Sequence, residues 1–415
     1  MASFQRGDIE IMAPAGSFAS LAAALRAGAD SVYFGAGGLN MRQASSANFS
    51  LAELRKIARI AGGNGVKTYL TLNSALFDED LPAMRQAMDA AKEAGISAVI
   101  AADHAAIAYA ASIGLELHLS TQLSISNVEA LRFYARWADV VVLARELNLE
   151  QAAAIRRAID AEGIRGPSGR PVRIEMFAHG ALCMAISGKC HLSLHQYNRS
   201  ANRGACLQAC RRGYLLTESD TGDEIAVDNQ YLMSPKDLKT IHFLDRVLES
   251  GARVLKIEGR ARPPEYVQAT VSCYREAVEA ILDGSYGADK VADWDQRLAS
   301  VFNRGFWDGY YLGQRLGEWA GRYGSAATKK RVYAGYCTHY YGGLGVASFL
   351  IENESIAPGD ELLIVGASTG ALSACPAELR VDDQAVTLAT RGSEPSFKVE
   401  RKARMGDKLY KLVGA

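Results

Sequence analysis

The chain has 415 residues, of which 49% are hydrophobic and 22% charged, and its 46 Lys and Arg balance 46 Asp and Glu. This composition is that of an ordinary globular protein, and the length exceeds what one small core usually organises, so we expect two domains. A net charge of zero excludes binding of nucleic acid or membrane through overall charge, so a polyanion would have to meet a local basic patch.

Up to Gly259, short apolar runs alternate with segments of helical period, which is typical of βαβ units and a parallel sheet. The runs are IEIMAPAG, SVYFGA, VKTYLTLN, SAVIAA, ELHLST, DVVVLA, VRIEMFAHG and RVLKIEG. Eight strands and eight helices predict a TIM-like (β/α) barrel over residues 1–285, although an open doubly wound sheet would give the same count.

The alternation breaks after the seventh strand, where residues 181–235 form a Cys-rich insertion that ends in a predicted hairpin, GYLLTESDTGDEIAVDNQYLMS. The helix DLKTIHFLDRVLESG then resumes the barrel pattern. Residues 286–324 are predicted to form a helical bridge. Residues 325–415 are short strands between Gly, Pro and Asp turns, which predicts a small all-β barrel domain.

The N-terminus, MASFQRGDIE, carries no apolar signal segment, and no apolar run reaches the roughly 18 residues of a membrane span. We therefore expect a cytoplasmic protein with no membrane partner. In that compartment a cysteine cluster is more typical of metal binding than of disulfides.

Four of the seven cysteines lie in the insertion with the spacing Cys-x6-Cys-x15-Cys-x3-Cys; they are Cys183, Cys190, Cys206 and Cys210. Structural zinc sites use tighter Cys pairs, whereas an iron–sulfur cluster is larger and tolerates irregular spacing. Spacing favours a cluster and leaves zinc and unligated buried thiols as alternatives.

Polar residues end nearly every predicted strand, at the face where parallel barrels carry their active sites. They are Asn40, Arg42, Asn73, Gln122, Arg145, His179, Lys256, Glu258 and Arg260. Solvation or helix capping would explain any one of them, but the whole set indicates a site.

Basic residues accompany the cysteines and the C-terminal domain. Arg199, Arg203, Arg211 and Arg212 either balance thiolate charge or hold a carboxylate or phosphate. A second set either tracks RNA phosphates or forms a solvated surface; it comprises Lys329, Lys330, Arg331, Lys398, Arg401, Lys402, Arg404, Lys408 and Lys411.

The stretch EMFAHGALCMAISGKC resembles the signature of peptidase family U32, the collagenase-like proteins. The similarity extends to APAGS, GADSVYFG, LSTQLSISN, LAREL, ANRGACLQACR, SPKDL and LKIEGR. This resemblance implies RNA hydroxylation without molecular oxygen, by proteins that bind a 4Fe–4S cluster through four cysteines. Here the ligands would be Cys183, Cys190, Cys206 and Cys210.

The branch that this chain most resembles converts the wobble uridine of tRNA to 5-hydroxyuridine with a prephenate-derived hydroxyl source. Other branches modify ribosomal RNA or act in ubiquinone synthesis. The chain departs from the pattern at two places: Lys239 stands where some relatives carry a further cysteine, and a long insertion after Arg212 is missing.

The hypothesis is an iron–sulfur tRNA hydroxylase, with a small carboxylated hydroxyl donor and an unknown electron donor as partners. Its expected catalytic residues are Arg145, His179, Lys256, Glu258 and Arg260. Its expected substrate-binding residues are Asn40, Arg42, Asn73, Gln122, Arg199, Arg203 and Arg211. The alternative is a peptidase, although the chain has no HExxH motif, and its GASTG sequence lacks the helix that a nucleophile elbow requires.

Overall fold

The computed structural model describes residues 4–44, 48–227, 234–314, 316–321 and 324–415. The first strands are β1 (Glu10–Pro14), β2 (Ser31–Phe34), β3 (Lys67–Leu72), β4 (Ala98–Ala101), β5 (Leu117–Leu119), β6 (Val140–Val142), β7 (Arg173–Ala181), β8 (Tyr214–Thr217), β9 (Glu224–Val227), β10 (Asp237–Lys239), β11 (Ala252–Ile257) and β12 (Phe306–Trp307). The helices are α1 (Phe18–Arg26), α2 (Leu54–Gly62), α3 (Leu81–Glu93), α4 (His104–Ser112), α5 (Val128–Ala135), α6 (Leu149–Glu162), α7 (Leu192–Tyr197), α8 (Leu244–Glu249), α9 (Pro264–Asp283) and α10 (Ala288–Ser300).

Strands β1 to β7 pair in parallel in chain order, and β11 closes the ring by pairing with both β1 and β7. Val254 of β11 lies opposite Glu10 of β1 on one side and Glu175 of β7 on the other. The predicted TIM-like barrel is therefore confirmed, and the open sheet is excluded.

Local sequence signals explain where the barrel helices begin and end. The side chains of Ser17, Asp103, Asn127 and Asn148 each accept a hydrogen bond from a backbone N–H in the first turn of the helix that follows. Gly163 ends α6 in the left-handed conformation, which glycine adopts without a Cβ penalty.

The predicted helix at residues 237–251 is wrong in its first part. Strand β7 extends past the barrel to Ala181, and its free edge pairs with the antiparallel strand β10, with Leu238 opposite Gly180. β10 in turn pairs with β12. Only Leu244–Glu249 is an α-helix, because tertiary pairing overrides the local helical pattern.

The predicted hairpin forms from β8 and β9, with Leu216 opposite Ile225. Its last residues, 228–233, lie outside the described residues. The segment after the barrel contains α10 and then β12. Pairing with β10 places β12 at the mouth of the barrel.

Charged side chains run along the barrel axis, where an apolar core might be expected. Lys256 and Glu175 form an ion pair at 2.7 Å, and at the opposite end Glu10 contacts Arg173 at 2.9 Å. Tyr69 donates a 2.6 Å hydrogen bond to Glu10. Burial opposes ionisation of Glu10, but the cations of Arg173 and Lys67 and the Tyr69 hydroxyl outweigh it and lower the pKa to about 2.

The C-terminal strands are β13 (Lys329–Tyr341), β14 (Val346–Ile351), β15 (Leu362–Gly366), β16 (Gly370–Ala374), β17 (Leu379–Val381), β18 (Gln384–Val386), β19 (Ser396–Lys398) and β20 (Lys408–Gly414). They form one antiparallel sheet in the order β16-β15-β20-β13-β14-β19-β17-β18. Leu372 of β16 and Leu379 of β17 share one core although these strands are far apart in the sheet, so the sheet curls around that core.

The C-terminal domain packs along α1 and α9. Gly370 lies against α1, where a Cβ would be only 2.8 Å from the backbone nitrogen of Ala23. Arg331 forms a 3.0 Å ion pair with Glu265 near the start of α9. Within the described residues, no helix combines the length and apolarity needed to span a membrane.

Candidate functional site

A small cavity of about 80 Å³, which we call the mouth cavity, lies at the carboxyl ends of the barrel strands. The predicted site residues that line it are Arg42, Asn73, Gln122, Arg145, Lys256, Glu258 and Arg260. Loops from opposite sides of the barrel thus bring together side chains as far apart along the sequence as Arg42 and Arg260.

Positive charge dominates the mouth cavity. Of the described residues, four cations line it (Arg42, Arg145, Lys256 and Arg260), and they face the carboxylates of Glu258 and of Glu175 beneath Lys256. Four positive and two negative charges leave an excess of two. An anionic ligand with one or two carboxylates would complete this balance.

Glu258 is held ionised by its neighbours. Burial favours its neutral form, but Arg42, Arg262, Arg145 and Arg260 outweigh burial, so the pKa of Glu258 is lowered. Arg42 contacts Glu258 at 3.3 Å, and that carboxylate raises the pKa of Arg42. Glu258 is therefore a fixed negative charge that orients Arg42.

Arg260 is buried, and burial lowers its pKa to about 10, so it stays protonated at neutral pH. Its Nη1 donates a 2.9 Å hydrogen bond to Oδ1 of Asn40, which is fully buried. Asn40 lies outside the mouth cavity, and it positions Arg260 instead of facing a ligand.

Amide and hydroxyl groups form a chain across the opposite wall. Asn73 donates to Oγ of Ser120 at 3.3 Å, and Ser120 donates to Oε1 of Gln122 at 2.8 Å. The backbone N–H of Met41 donates to Oδ1 of Asn73 at 3.2 Å. These bonds fix Asn73 and Gln122 at the cavity wall.

All four predicted thiol ligands line a second cavity of about 310 Å³, the cysteine cavity. Arg42 and Glu258 line it as well, so it adjoins the mouth cavity. The four cysteines are free thiols; Cys183 is exposed, and Cys190, Cys206 and Cys210 are half-buried. Burial raises the pKa of the Cys210 thiol, while the nearby Arg211 opposes that change.

In the part of the chain that the structure describes, no three His, Cys, Asp or Glu side chains are arranged to hold a single metal ion. The thiols line the wall of a cavity and do not meet at one point. Four thiols around one cavity are the donor set of a 4Fe–4S cluster. Arg42 and Arg211 on the same wall would balance thiolate charge, so the residues present fit that group.

Two arginines predicted to bind substrate instead fasten the cysteine segment to the protein. Arg203 contacts Asp80 at 2.7 Å and lies 3.8 Å from the ring centroid of Phe77. Arg211 donates to the backbone oxygens of Leu182 at 2.7 Å and Pro235 at 2.6 Å. Arg199 is exposed and lines neither of the two cavities.

His179 lies away from both cavities. A register shift between β7 and β11 inserts one extra residue before His179, so its side chain packs under α9. It is 1% exposed, and its ring centroid lies 5.6 Å from that of Tyr274 and 5.5 Å from that of Phe306. Burial, with help from Lys239 and Arg262, lowers its pKa to about 3, so His179 is neutral at physiological pH.

Sequence reasoning missed a third cavity of about 250 Å³, the aromatic cavity, which lies beside the other two. Its aromatic walls are Trp307, Tyr310 and Trp319. The stretch GFWDGYYLGQRLGEW is unusually rich in aromatic residues for a connecting segment, and that was the available signal.

The model of peptidase family U32 matches residues 16–321. A collagenase of Porphyromonas gingivalis is 58% identical over 405 residues, which cover 98% of each chain. The tRNA hydroxylation protein P1 of Bacillus subtilis is 34% identical and covers 75% of this chain and 74% of its own. The 23S rRNA 5-hydroxycytidine C2501 synthase of Escherichia coli is 37% identical over 66% of this chain and 40% of its own.

Proposed function

The chain belongs to peptidase family U32, and we propose that it is an iron–sulfur enzyme that hydroxylates a pyrimidine of RNA without molecular oxygen. The proposed substrate is the wobble uridine of tRNA and the product 5-hydroxyuridine. One observation carries the proposal: the four cysteines line a cavity that shares Arg42 and Glu258 with a cationic cavity at the barrel mouth. Relatives named for hydroxylation of tRNA and 23S rRNA support it.

The overall reaction balances with a hydroxyl donor alone. Replacing the C5–H bond of uracil by C5–OH oxidises the base by two electrons. A donor R–OH that leaves as R–H is reduced by the same two electrons, so no further oxidant is needed. Cys183, Cys190, Cys206 and Cys210 would hold a 4Fe–4S cluster, which would supply electron transfer.

The cations of the mouth cavity would hold the donor. Guanidinium groups bind carboxylates in bidentate fashion, and Arg42, Arg145 and Arg260 all line this cavity. Lys256 adds an ammonium fixed by Glu175. We propose a small carboxylated donor derived from prephenate at this position. Glu258 keeps Arg42 in place, and its lowered pKa makes it a poor proton acceptor.

The C-terminal domain would contribute phosphate contacts. Ion pairs already engage Lys329 with Glu361, Arg331 with Glu265 and Lys411 with Asp360. The exposed residues left from the predicted basic set are Lys330, Lys398, Arg401, Lys402, Arg404 and Lys408. If they contact RNA phosphates, binding will weaken steeply with salt.

The proposal is tested by deleting the gene and measuring hydroxylated nucleosides in tRNA and rRNA by mass spectrometry. We expect 5-hydroxyuridine to disappear and to return with the wild-type gene. Cys183→Ser should fail to restore it, and Cys375→Ser, at an exposed cysteine outside the cysteine cavity, should restore it fully. Protein purified without oxygen should contain about four irons, and the Cys183→Ser protein fewer. Unchanged hydroxyuridine and hydroxycytidine in the deletion strain would reject the proposal.

A peptidase is the second candidate, because the collagenase of Porphyromonas gingivalis is 58% identical to this chain. His179, an imidazole that could serve a peptidase as a base, is only 1% exposed and lies outside the mouth and cysteine cavities. Collagen cleavage by the purified wild-type protein, undiminished in Cys183→Ser, would favour the peptidase over the hydroxylase.

A further inference from the structure

The walls of the aromatic cavity are held in place by packing between their rings and by a β-bridge. The rings of Trp307 and Tyr310 meet edge to face with their centroids 5.3 Å apart. A Cβ on Gly317 would lie 3.7 Å from Trp307 and 3.8 Å from Trp319, so this glycine sits between the two indoles. Trp319 is held by a β-bridge to Pro235. The volume of the aromatic cavity, about 250 Å³, is just below the roughly 300–1,000 Å³ of sites that bind drug-sized molecules. The cavity therefore suits one small planar group.

Two charged side chains, Arg145 and Glu146, line this cavity. Arg145 stacks on Phe177 at 3.7 Å and donates through Nη1 to the backbone oxygen of Ala181 at 3.1 Å. Within the described residues, its Nε and the indole N–H of Trp307 are buried without a hydrogen-bond partner. Such donors are rare in folded proteins because leaving them unpaired is costly. The exposed carboxylate of Glu146 supplies an acceptor beside them.

The aromatic cavity adjoins both of the other cavities. Thr121, Arg145 and Ser187 line both it and the mouth cavity. Cys183 lines both it and the cysteine cavity. A planar group stacked here would therefore be next to the proposed hydroxyl donor and next to a proposed cluster ligand.

We propose that the aromatic cavity receives a single pyrimidine base turned out of single-stranded RNA. The base stacks on the aromatic walls, as bases do on protein aromatic side chains in sequence-tolerant sites. Uracil presents acceptor, donor and acceptor groups on its pairing edge, so its N3–H can donate to the carboxylate of Glu146 and a carbonyl can accept from any Arg145 N–H that the hydroxyl donor leaves free. A base within a duplex is paired and stacked on its neighbours, so it has to leave its stack before its faces can lie against these aromatic walls. This inference rests on the proposed function and names the subsite for its substrate.

The test is anaerobic binding of a fluorescein-labelled hexauridylate to the iron-loaded protein, followed by fluorescence anisotropy. Trp319→Ala and Tyr310→Ala should each weaken binding about 5- to 150-fold, the range for one lost base–aromatic stack. Trp319→Phe should bind nearly as the wild type does, because a flat ring remains. Phe133→Ala removes an aromatic ring that is 50% exposed on α5, away from the cavity, and should change nothing. Photocrosslinking of an oligonucleotide with 5-iodouridine should label Tyr310 or Trp319.

Other outcomes separate this inference from the proposed function. If wild-type protein restores hydroxyuridine in cells and Trp319→Ala and Tyr310→Ala also bind and restore it normally, the base subsite is wrong and the function stands. If RNA binding depends on Trp319 but the deletion strain keeps all hydroxylated nucleosides, the subsite stands and the function falls. If a (Pro-Pro-Gly)ₙ peptide binds and crosslinks here while hexauridylate does not, the site is for protein and the inference is overturned. Equal iron content and melting temperature of the variants exclude misfolding as the cause.

Discussion

The ion pair between Lys256 and Glu175 should govern both the stability of the barrel and the charge of its mouth. Glu175 is fully buried and Lys256 is 6% exposed, with their charged atoms 2.7 Å apart. Removing one partner leaves a buried charge without compensation, which typically costs about 3–5 kcal/mol. We therefore expect Lys256→Met and Glu175→Gln each to lower the free energy of unfolding by that amount, measured by urea denaturation at pH 7.

The double variant Lys256→Met/Glu175→Leu removes both charges and should recover to within about 1 kcal/mol of the wild type, since a packed apolar pair often replaces a buried ion pair without loss. Under the proposed function, Lys256→Met should abolish RNA hydroxylation. The double variant should not recover it, because the mouth cavity still lacks the ammonium of Lys256. The matched control is Arg132→Ala, which removes two exposed ion pairs, with Glu129 and Glu162, whose side chains are 79% and 44% exposed, and it should cost less than about 1 kcal/mol per pair. Additive losses in the double variant, or single losses below about 1 kcal/mol, would refute this reasoning.

Three further predictions concern single positions. The pKa of Glu10 is depressed from 4.5 to about 2, so ionised Glu10 contributes on the order of 3 kcal/mol to the free energy of unfolding. This contribution is present above pH 4.5 and is lost as the pH falls through about 2. Glu10→Gln should therefore be less stable than the wild type at pH 7, and urea titrations should show that the stability difference between the two proteins shrinks in acid. Under the proposed function, Arg203→Ala should leave the melting temperature nearly unchanged but speed iron loss to a chelator, because the cysteine segment loses its ion pair with Asp80, the residue before α3; an unchanged rate would contradict this. Gly16→Ala should disrupt the mouth, since a Cβ would lie 1.9 Å from the backbone oxygen of Arg260, whereas Gly62→Ala has no atom within 4 Å and should keep full activity and melting temperature.

The barrel could be predicted because the sequence signals for its strands and helices are local. Each strand is a short apolar run, and several of the following helices carry their own caps, as α1 does with Ser17 and α5 with Asn127. The ends of parallel strands must meet at one face, so Arg42, Lys256 and Glu258 were expected to lie together, and they do.

The helix prediction was wrong where long-range pairing decides, and the surroundings of several side chains depend on the fold in the same way. Residues 237–239 have a helical pattern, but the free edge of β7 converts them to a strand. His179 follows the seventh strand as expected, yet one extra residue in that strand turns its side chain under α9. Arg203 and Arg211 are of the residue type that binds anionic ligands. Only the fold shows that Arg203 already pairs with Asp80 and that Arg211 already donates to backbone oxygens.

The cysteine cavity has walls from widely separated parts of the chain: the loop after β2, the cysteine segment, the loop after β11 and Arg304. Its shape therefore depends on closure of the ring by β11, which must find β1 across more than two hundred intervening residues. Contacts at such sequence separation form late in folding, because loop-closure entropy delays them. Until the ring closes, the walls around the four thiols are incomplete. A chain that has not closed its barrel therefore lacks the cavity that brings the four cysteines together.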